Sequence, residues 1–277
     1  MHKSLRTIGT FSFIFFVLCA AYWPALSHQY VHHDDISFFL RTPSEIMIPK
    51  HYLDVTTGRP LSAMRLTASG FFIDQISDFT IYRFFNVILL SLSAWLMGPW
   101  LRSYYTNGIY ALLATLIIFT LPSFQLLASL VGTSATPIAL LLSITAALIA
   151  GRIPLTTDLK KHFISRPFAF ALSLVLLLSS LLFYPAIAMY YWVMVAVEIL
   201  TFQGSWKKLV DLFLAGFGAL GIYFMMLLAT KPYFAHLTVP GYDPYVMNFD
   251  VFTKLRWFLE EPLFNVLNLW NIFPNRQ

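Results

Sequence analysis

The composition of this chain excludes an ordinary soluble domain. Its 277 residues are 58% hydrophobic and only 11% charged, whereas soluble domains carry about 25% charged residues. A chain of this length is too short to hide so much apolar surface in a soluble core. The net charge of +5 comes without a basic tract interleaved with aromatic residues, so we expect membrane lipids as partners and no nucleic acid. The single cysteine, Cys19, excludes an internal disulfide framework and a zinc pattern.

The N-terminal segment is basic up to Arg6 and apolar from Ile8 to Trp23. Secretory signal peptides share this order of regions, so a cleaved signal is the alternative reading. The run is aromatic-rich and long enough to span a bilayer with its flanks, and we therefore favour an uncleaved first span. With either reading, the residues that follow lie outside the cytoplasm.

Seven apolar segments approach the roughly 20 residues that a bilayer requires. The third and fourth are short, and Pro122 and Pro137 mark the turn between them, which is predicted for 123–134. The fifth and sixth nearly touch at Tyr184 and Pro185, which predicts a tight helical hairpin. We therefore predict an all-α polytopic membrane protein with a single membrane domain over 1–277. The predicted spans are 8–26, 84–101, 109–122, 135–151, 167–184, 185–202 and 209–229.

The basic residues predict the orientation of these spans. With the N-terminus in the cytoplasm, the short inner pieces carry nine of the 18 Lys and Arg residues, and the outer turn 123–134 carries none. The positive-inside rule therefore predicts a cytoplasmic membrane protein with its N-terminus inside and its first long loop and C-terminus outside. The nine inner residues are Lys3, Arg6, Arg102, Arg152, Lys160, Lys161, Arg166, Lys207 and Lys208.

Two long outer segments, 27–83 and 230–277, are semi-apolar. In the first, a Gly-Arg-Pro sequence at 58–60 precedes apolar residues spaced three and four apart, which predicts an amphipathic helix lying on the membrane. The second has the same character over 249–273, where Trp, Phe and Leu are mixed with charged residues. We expect amphipathic interfacial helices in both segments.

The first outer loop holds the densest group of chemically active side chains: His32, His33, Asp34 and Asp35. Adjacent carboxylates and imidazoles close to a lipid interface are costly to leave unpaired. One reading is a solvated turn with local ion pairs to basic residues of the same loop. The other is a carboxylate that acts as a general base, oriented by an Arg or a His. Four consecutive residues do not converge easily on one ion, so we predict no metal and no other cofactor, with a divalent metal as the weaker alternative.

Arg59 is a second candidate functional residue, for a different reason. It lies between a glycine and a proline at a predicted helix start, where backbone amides and a guanidinium together make an anion site. A phosphate at the membrane surface is the obvious anion, and a headgroup clamp without a catalytic role is the alternative. On the inner side, Glu198 and Asp211 lie near span ends, and we expect them to reach headgroups or nearby lysines as anchors.

This layout resembles the GT-C class of membrane glycosyltransferases, which use polyprenyl- or dolichyl-phosphate sugars. The shared features are a first span, an acidic pair just outside it and a long membrane-hugging loop before the second span. Within the class, the chain is most similar to the GtrII-like O-antigen glucosyltransferases. The segments that carry the resemblance are Val31-His32-His33-Asp34-Asp35, Gly58-Arg59-Pro60-Leu61, the run from Ile76 to Arg83, and Leu182-Phe183-Tyr184-Pro185.

The resemblance implies an inverting transfer of a sugar, a hexose such as glucose, from a polyprenyl-phosphate donor to a cell-surface glycan or lipid acceptor. In this reading 27–83 is the catalytic loop, and Asp34 or Asp35 is the base, with Asp34 favoured. A small flippase of the same pathway is an expected partner. The residues assigned to the donor phosphate are Arg59, Lys50 and Arg65, and those assigned to the rest of the substrate are His33 and Tyr184.

Two other readings stay open. Members of the class commonly have more than seven spans, so 230–277 is either the end of a shared module or a sign of a truncated, inactive membrane subunit. A lipid-linked sugar flippase or carrier is the non-enzymatic alternative. It calls for ionisable residues along a path through the bilayer, and the predicted spans hold almost none.

Overall fold

The computed structural model describes residues 2–28, 58–70, 73, 75–129, 135–151, 165–201, 206–234, 252, 253 and 256. Helices make up most of these residues and no strand occurs among them, which confirms the prediction of an all-helical protein for this part of the chain. The helices are α1 His2–Ala21, α2 Trp23–Ser27, α3 Pro60–Gly70, α4 Asp78–Arg102, α5 Gly108–Phe119, α6 Pro122–Ser129, α7 Ala135–Ala150, α8 Arg166–Phe183, α9 Pro185–Ala188, α10 Tyr190–Thr201 and α11 Trp206–Phe234.

The chain divides into two compact units. The first covers Met1–Phe234 and contains all of the helices named above. The second covers Ala235–Gln277 and is described only at Phe252, Thr253 and Arg256, which are exposed. The amphipathic segment predicted for 249–273 therefore lies almost entirely outside the described residues.

Three helices of the described part are long and apolar enough to cross a membrane: α4, α8 and residues Trp206–Thr230 of α11. Helices α5 and α6 pass the same test only together, and they are bent by 62° at the break between them. Ile8–Ala21 of α1, the helix α7 and the stretch Pro185–Thr201 are apolar but shorter. Each predicted span thus falls on one helix or on two consecutive helices. Three spans, or four with the bent pair, meet the length and hydropathy of a full crossing, and the count of seven stays a prediction.

Prolines decide where several of these helices begin, because a proline at the first helical position has no N–H to leave unsatisfied and a φ already suited to the helix. The turn predicted between Pro122 and Pro137 is wrong at both ends, since Pro122 starts α6 and Pro137 lies in the first turn of α7. The break predicted at Tyr184 and Pro185 is confirmed. Tyr184 is extended, with φ −158° and ψ 99°, and Pro185 starts the short helix α9.

Helix α7 forms the centre of the bundle and packs against α4, α6, α8, α9, α10 and α11. It is rich in alanine, and most of its side chains are buried, which lets neighbouring backbones approach closely. Ser173 of α8 donates to the carbonyl of Ala146 at 2.9 Å, and Ser180 donates to that of Ala139 at 2.7 Å. Interhelical bonds of this kind contribute about 0.6–2 kcal/mol each in a bilayer, so α7 is firmly held although it is short.

Helix α3 is the amphipathic helix predicted for the first outer loop, and it begins at the predicted proline. It packs against α8. Ser62, Ala63 and Leu66 are buried, whereas Met64 is 63% exposed. The helix therefore rests on the protein with one face and presents an apolar side chain on another.

Candidate functional site

Two polar clusters lie at opposite ends of α8. Helix α8 has 18 residues, so at 1.5 Å per residue it is about 27 Å long, close to the roughly 30 Å of a bilayer's hydrocarbon core. The clusters are therefore spaced like the two headgroup layers of a membrane. We name them the Lys208 end, which comprises Trp100, Arg166, Glu198, Lys208 and Asp211, and the Arg59 end, which comprises Gly58, Arg59, Tyr184 and Tyr223.

At the Lys208 end, a buried carboxylate joins three helices. Glu198 of α10 is 5% exposed. Its Oε1 accepts a hydrogen bond from Nε1 of Trp100 in α4 at 2.9 Å, and its Oε2 accepts one from Nζ of Lys208 in α11 at 2.6 Å. Tyr104 lies beside this carboxylate, and burial, followed by the neighbouring Glu198, raises the pKa of its phenol. The predicted lysine partner of Glu198 is thus confirmed, and the pair ties α4, α10 and α11 together.

A second ion pair at the same end joins α8 to α11. The guanidinium of Arg166 donates from Nη2 to Oδ1 of Asp211 at 2.7 Å, and from Nε to both carboxylate oxygens at 3.2 Å. Asp211 therefore anchors an arginine, where the sequence predicted a lysine or a lipid headgroup. Since the acids and bases of the Lys208 end neutralise one another, this end is a structural clamp.

The Arg59 end is built around a left-handed glycine. Gly58 is buried and has φ +81°, a conformation that L side chains rarely adopt. The hydroxyl of Tyr223 donates to its carbonyl at 3.1 Å. A Cβ on residue 58 would run into the Tyr223 hydroxyl and would lie 2.5 Å from Cδ2 of Leu227. Both the backbone conformation and the close approach of α11 therefore require glycine here.

Arg59 follows directly and caps α3. Its carbonyl accepts the N–H of Ala63 at 3.0 Å, so it is the last residue before the helix and its side chain leaves from the N-terminal end. The guanidinium carbon lies 5.4 Å from the ring centroid of Tyr184, and Arg59 also interacts electrostatically with Tyr223. A guanidinium beside the positive end of a helix dipole is suited to an anion.

The structure brings together two of the predicted site residues, Arg59 and Tyr184. Because the guanidinium already covers one face of the Tyr184 ring, stacking of this ring on a sugar is left to its other face. Arg65 lies further along α3, is partly buried and interacts electrostatically with Tyr82 of α4. Its assignment to the donor phosphate stays a prediction.

The remaining predicted residues lie outside the described residues: the acids Asp34 and Asp35, and the basic residues His33 and Lys50. Their position relative to Arg59 is therefore a matter for experiment. No group of three or more metal-binding side chains occurs among the described residues.

One residue of this region was misjudged from the sequence. Arg83 was placed in the loop ahead of the second span, but α4 begins at Asp78, and Arg83 lies inside that helix with no exposed surface. Its Nε donates to the carbonyl of Ser129 at 3.1 Å. Its Nη1 donates to the carbonyls of His28 at 3.1 Å and Ala25 at 3.4 Å. The signal available in the sequence was a single arginine followed by a long, uncharged and mainly apolar run up to Leu101.

The contacts of Arg83 explain why a charge is tolerated in this position. Ser129 ends α6, and His28 follows the end of α2. Carbonyls at helix C-termini lack intrahelical partners and carry partial negative charge. The ring of Phe79 adds a further contact, 5.9 Å from the guanidinium carbon. Arg83 thus joins the ends of two helices to α4 and holds the backbone at His28, directly before the segment 29–57.

Comparisons with protein-family models, with curated proteins and with solved structures give no match to this chain.

Proposed function

We propose that this chain is an inverting glycosyltransferase of the cytoplasmic membrane. It takes a sugar, a hexose such as glucose, from polyprenyl phosphate and transfers it to a cell-surface glycan or lipid on the outer face. The observation that carries the proposal is the Arg59 guanidinium, placed over Tyr184 at the start of α3 and near one end of a helix of membrane-spanning length. A cation in this position suits the phosphate of a lipid whose tail lies in the bilayer.

The distribution of basic residues supports the proposed orientation. Arg166 and Lys208 belong to the Lys208 end, and Arg102 ends the same helix that carries Trp100. The positive-inside rule places this end in the cytoplasm, and the Arg59 end then faces outward. A membrane-impermeant maleimide tests the orientation in a Cys19→Ala background. It should label Gln75→Cys in intact cells, and Thr106→Cys only after permeabilisation; the reverse pattern would contradict the orientation.

In the proposed reaction, Asp34 or Asp35 removes the proton of an acceptor hydroxyl. The hydroxyl oxygen attacks the anomeric carbon from the side opposite the phosphate, the bond between that carbon and the phosphate oxygen breaks, and the configuration inverts. Polyprenyl phosphate leaves with the bonding electron pair. Arg59 stabilises the charge that develops on it, and a well-placed donor of this kind lowers a barrier by about 3–4 kcal/mol.

The anchoring of the loop also supports this assignment. The carbonyl of His28, just before the segment 29–57, is held by Arg83, and the carbonyl of Gly58, just after it, is held by Tyr223. Both anchors belong to helices long enough to span a membrane. A segment that must present a base to a reacting sugar needs fixed ends of this kind.

The test uses membranes that contain the protein, with undecaprenyl-phosphate glucose as donor, and measures the release of undecaprenyl phosphate and the anomeric configuration of the product. Asp34→Asn and Asp35→Asn should each lower the rate at least about 100-fold, and Arg59→Ala should lower it by about 100- to 1,000-fold. Arg102→Ala removes an exposed arginine near the Lys208 end and should leave the rate unchanged. Wild-type rates in all three site variants would refute the mechanism, and acceptor-free movement of the donor across liposomes would favour a carrier.

A further inference from the structure

We infer that Tyr223 is a positioning residue that orients Arg59 toward the phosphate of the lipid donor. The inference rests on the proposed function, because it assigns to Arg59 an anionic lipid ligand. It concerns a residue in an apolar helix, 165 positions away from the glycine it binds.

Tyr223 acts on the backbone next to Arg59. Its side chain is 9% exposed, and its hydroxyl is hydrogen-bonded to the carbonyl of Gly58 at 3.1 Å. The peptide group that contains this carbonyl also contains the N–H of Arg59. A bond that fixes the plane of this peptide therefore fixes the Arg59 N–Cα bond, and this restrains the direction in which the side chain leaves the backbone.

The steric fit at Gly58 adds a second restraint from the same helix. Tyr223 and Leu227 are one turn apart on α11, and both approach Gly58 so closely that no Cβ fits between them. Helix α11 is thus packed against the turn, while Tyr184, which directly follows α8, places its ring beneath the guanidinium. Two helices, both long enough to span a membrane, together set the place of the cation.

This arrangement matters because arginine is flexible. Its side chain carries about 2 kcal/mol of rotamer entropy, and a binding group that is already oriented loses less of it when the ligand arrives. Without the Tyr223 hydroxyl, the turn keeps its glycine and the guanidinium keeps its charge, but the direction of the side chain is less well defined. The expected consequence is weaker donor binding without a loss of chemistry.

The chain offers a matched control in Tyr191. This tyrosine is also buried, and its hydroxyl donates to the carbonyl of Leu212 at 2.7 Å. Leu212 lies 11 residues before Tyr223 on α11, about 16 Å along the helix, toward the Lys208 end. Tyr191→Phe and Tyr223→Phe therefore remove the same kind of bond, and only the second acts on the Arg59 end.

The experiment uses the full-length protein in phosphatidylcholine nanodiscs and measures the binding of undecaprenyl phosphate. Tyr223→Phe should weaken binding about 5- to 10-fold, the loss that one hydrogen bond accounts for, whereas Tyr191→Phe should bind like the wild type. In transfer assays, Tyr223→Phe should raise the donor KM by a similar factor and leave kcat within about twofold. Binding of phosphatidic acid to the same extent would identify a general headgroup site and contradict the polyprenyl donor.

A double variant separates positioning from general damage. If Tyr223 acts through Arg59, then Tyr223→Phe should have no further effect on binding in an Arg59→Ala background. An additive loss there, or wild-type binding by Tyr223→Phe alone, would overturn the inference while leaving the proposed function intact. Unchanged binding by Arg59→Ala would overturn the phosphate assignment itself, and a wild-type protein that binds no undecaprenyl phosphate would overturn both.

A second pair of variants covers the case in which Tyr223→Phe fails to fold. Gly58→Ala forces a side chain against Tyr223, and Gly216→Ala forces one against the Trp192 ring, whose Cζ2 would lie 2.7 Å away. Both changes create a steric clash with an aromatic side chain on or beside α11. Only Gly58→Ala should weaken the binding of undecaprenyl phosphate; equal weakening by both would contradict the positioning role.

Discussion

Replacement of Arg83 by methionine should destabilise the protein far more than any change at an exposed arginine. Arg83 has no exposed surface, and its guanidinium donates to the carbonyls of Ser129, His28 and Ala25. Methionine keeps an unbranched apolar stem of similar reach and removes both the charge and the donors. The variant therefore tests the hydrogen bonds more than the packing.

The expected loss in the free energy of unfolding follows from the carbonyls that lose their hydrogen-bond donors. A buried acceptor without its partner costs about 1–3 kcal/mol. The two bonds at 3.1 Å count in full, and the one at 3.4 Å is longer and weaker. The expected loss in the free energy of unfolding is about 2–6 kcal/mol. Arg83→Lys should recover only part of it, because an ammonium lacks the planar fork that reaches several carbonyls at once.

The assay is unfolding of the purified protein in mixed micelles of a mild detergent and dodecyl sulfate. Near-ultraviolet circular dichroism of its seven tryptophans reports tertiary packing rather than helix content. Arg102→Met, at an exposed position, is the control and should lie within about 0.5 kcal/mol of the wild type. A loss below about 1 kcal/mol for Arg83→Met would refute the view that its carbonyl contacts hold α2, α4 and α6 together.

Two further predictions concern the packing of α10 and α11. Glu198→Gln should leave the Lys208 ammonium without its counter-charge and destabilise the protein, whereas the double variant with Lys208→Met should recover much of the lost stability. A double-mutant cycle on the free energies of unfolding measures the coupling between the two residues, and additive effects would contradict it. Gly216→Ala should destabilise by about 1–3 kcal/mol, because its Cβ meets the Trp192 ring. Gly221→Ala meets nothing within 4 Å and should gain about 0.5–1 kcal/mol from helix propensity; a loss at Gly221 would show that its surroundings are misplaced.

The helices were predictable from the sequence because their signals are local. Apolar length marks each predicted span, and the proline at 60 and that at 185 mark the starts of α3 and α9. The start of α4 was not predictable in this way. Asp78 and Arg83 are polar and were read as loop residues, but the carbonyls that accept the Arg83 hydrogen bonds come from residues up to 58 positions away. The hydropathy of the chain does not indicate which distant carbonyls a side chain will contact.

The candidate site was likewise predictable from the sequence only in part. Arg59 and Tyr184 could each be singled out, one from a helix-start motif and the other from an aromatic residue at a span end. Their contact could not, because it depends on how α3 packs against α8. Tyr223 was missed altogether. A tyrosine in a long apolar helix is usually explained as an interfacial anchor, and only the fold reveals that its hydroxyl reaches Gly58.

Different groups contact the basic side chains at the two ends of the bundle. At the Lys208 end, carboxylates accept the hydrogen bonds of Arg166 and Lys208, so each charge is cancelled by its partner. Near the Arg59 end, backbone carbonyls and the Phe79 ring contact Arg83, and the Tyr184 ring contacts Arg59.

The segment 29–57, which carries Asp34 and Asp35, starts beside one of these arginines and ends beside the other. In the proposed reaction, the departing phosphate needs positive charge, and Arg59 is the residue proposed to supply it. Exchange of Arg59 for lysine should therefore preserve part of the donor affinity, whereas exchange for glutamine should abolish it, as nanodisc binding of undecaprenyl phosphate will measure. Equal binding by both variants would show that charge at residue 59 is irrelevant to the site.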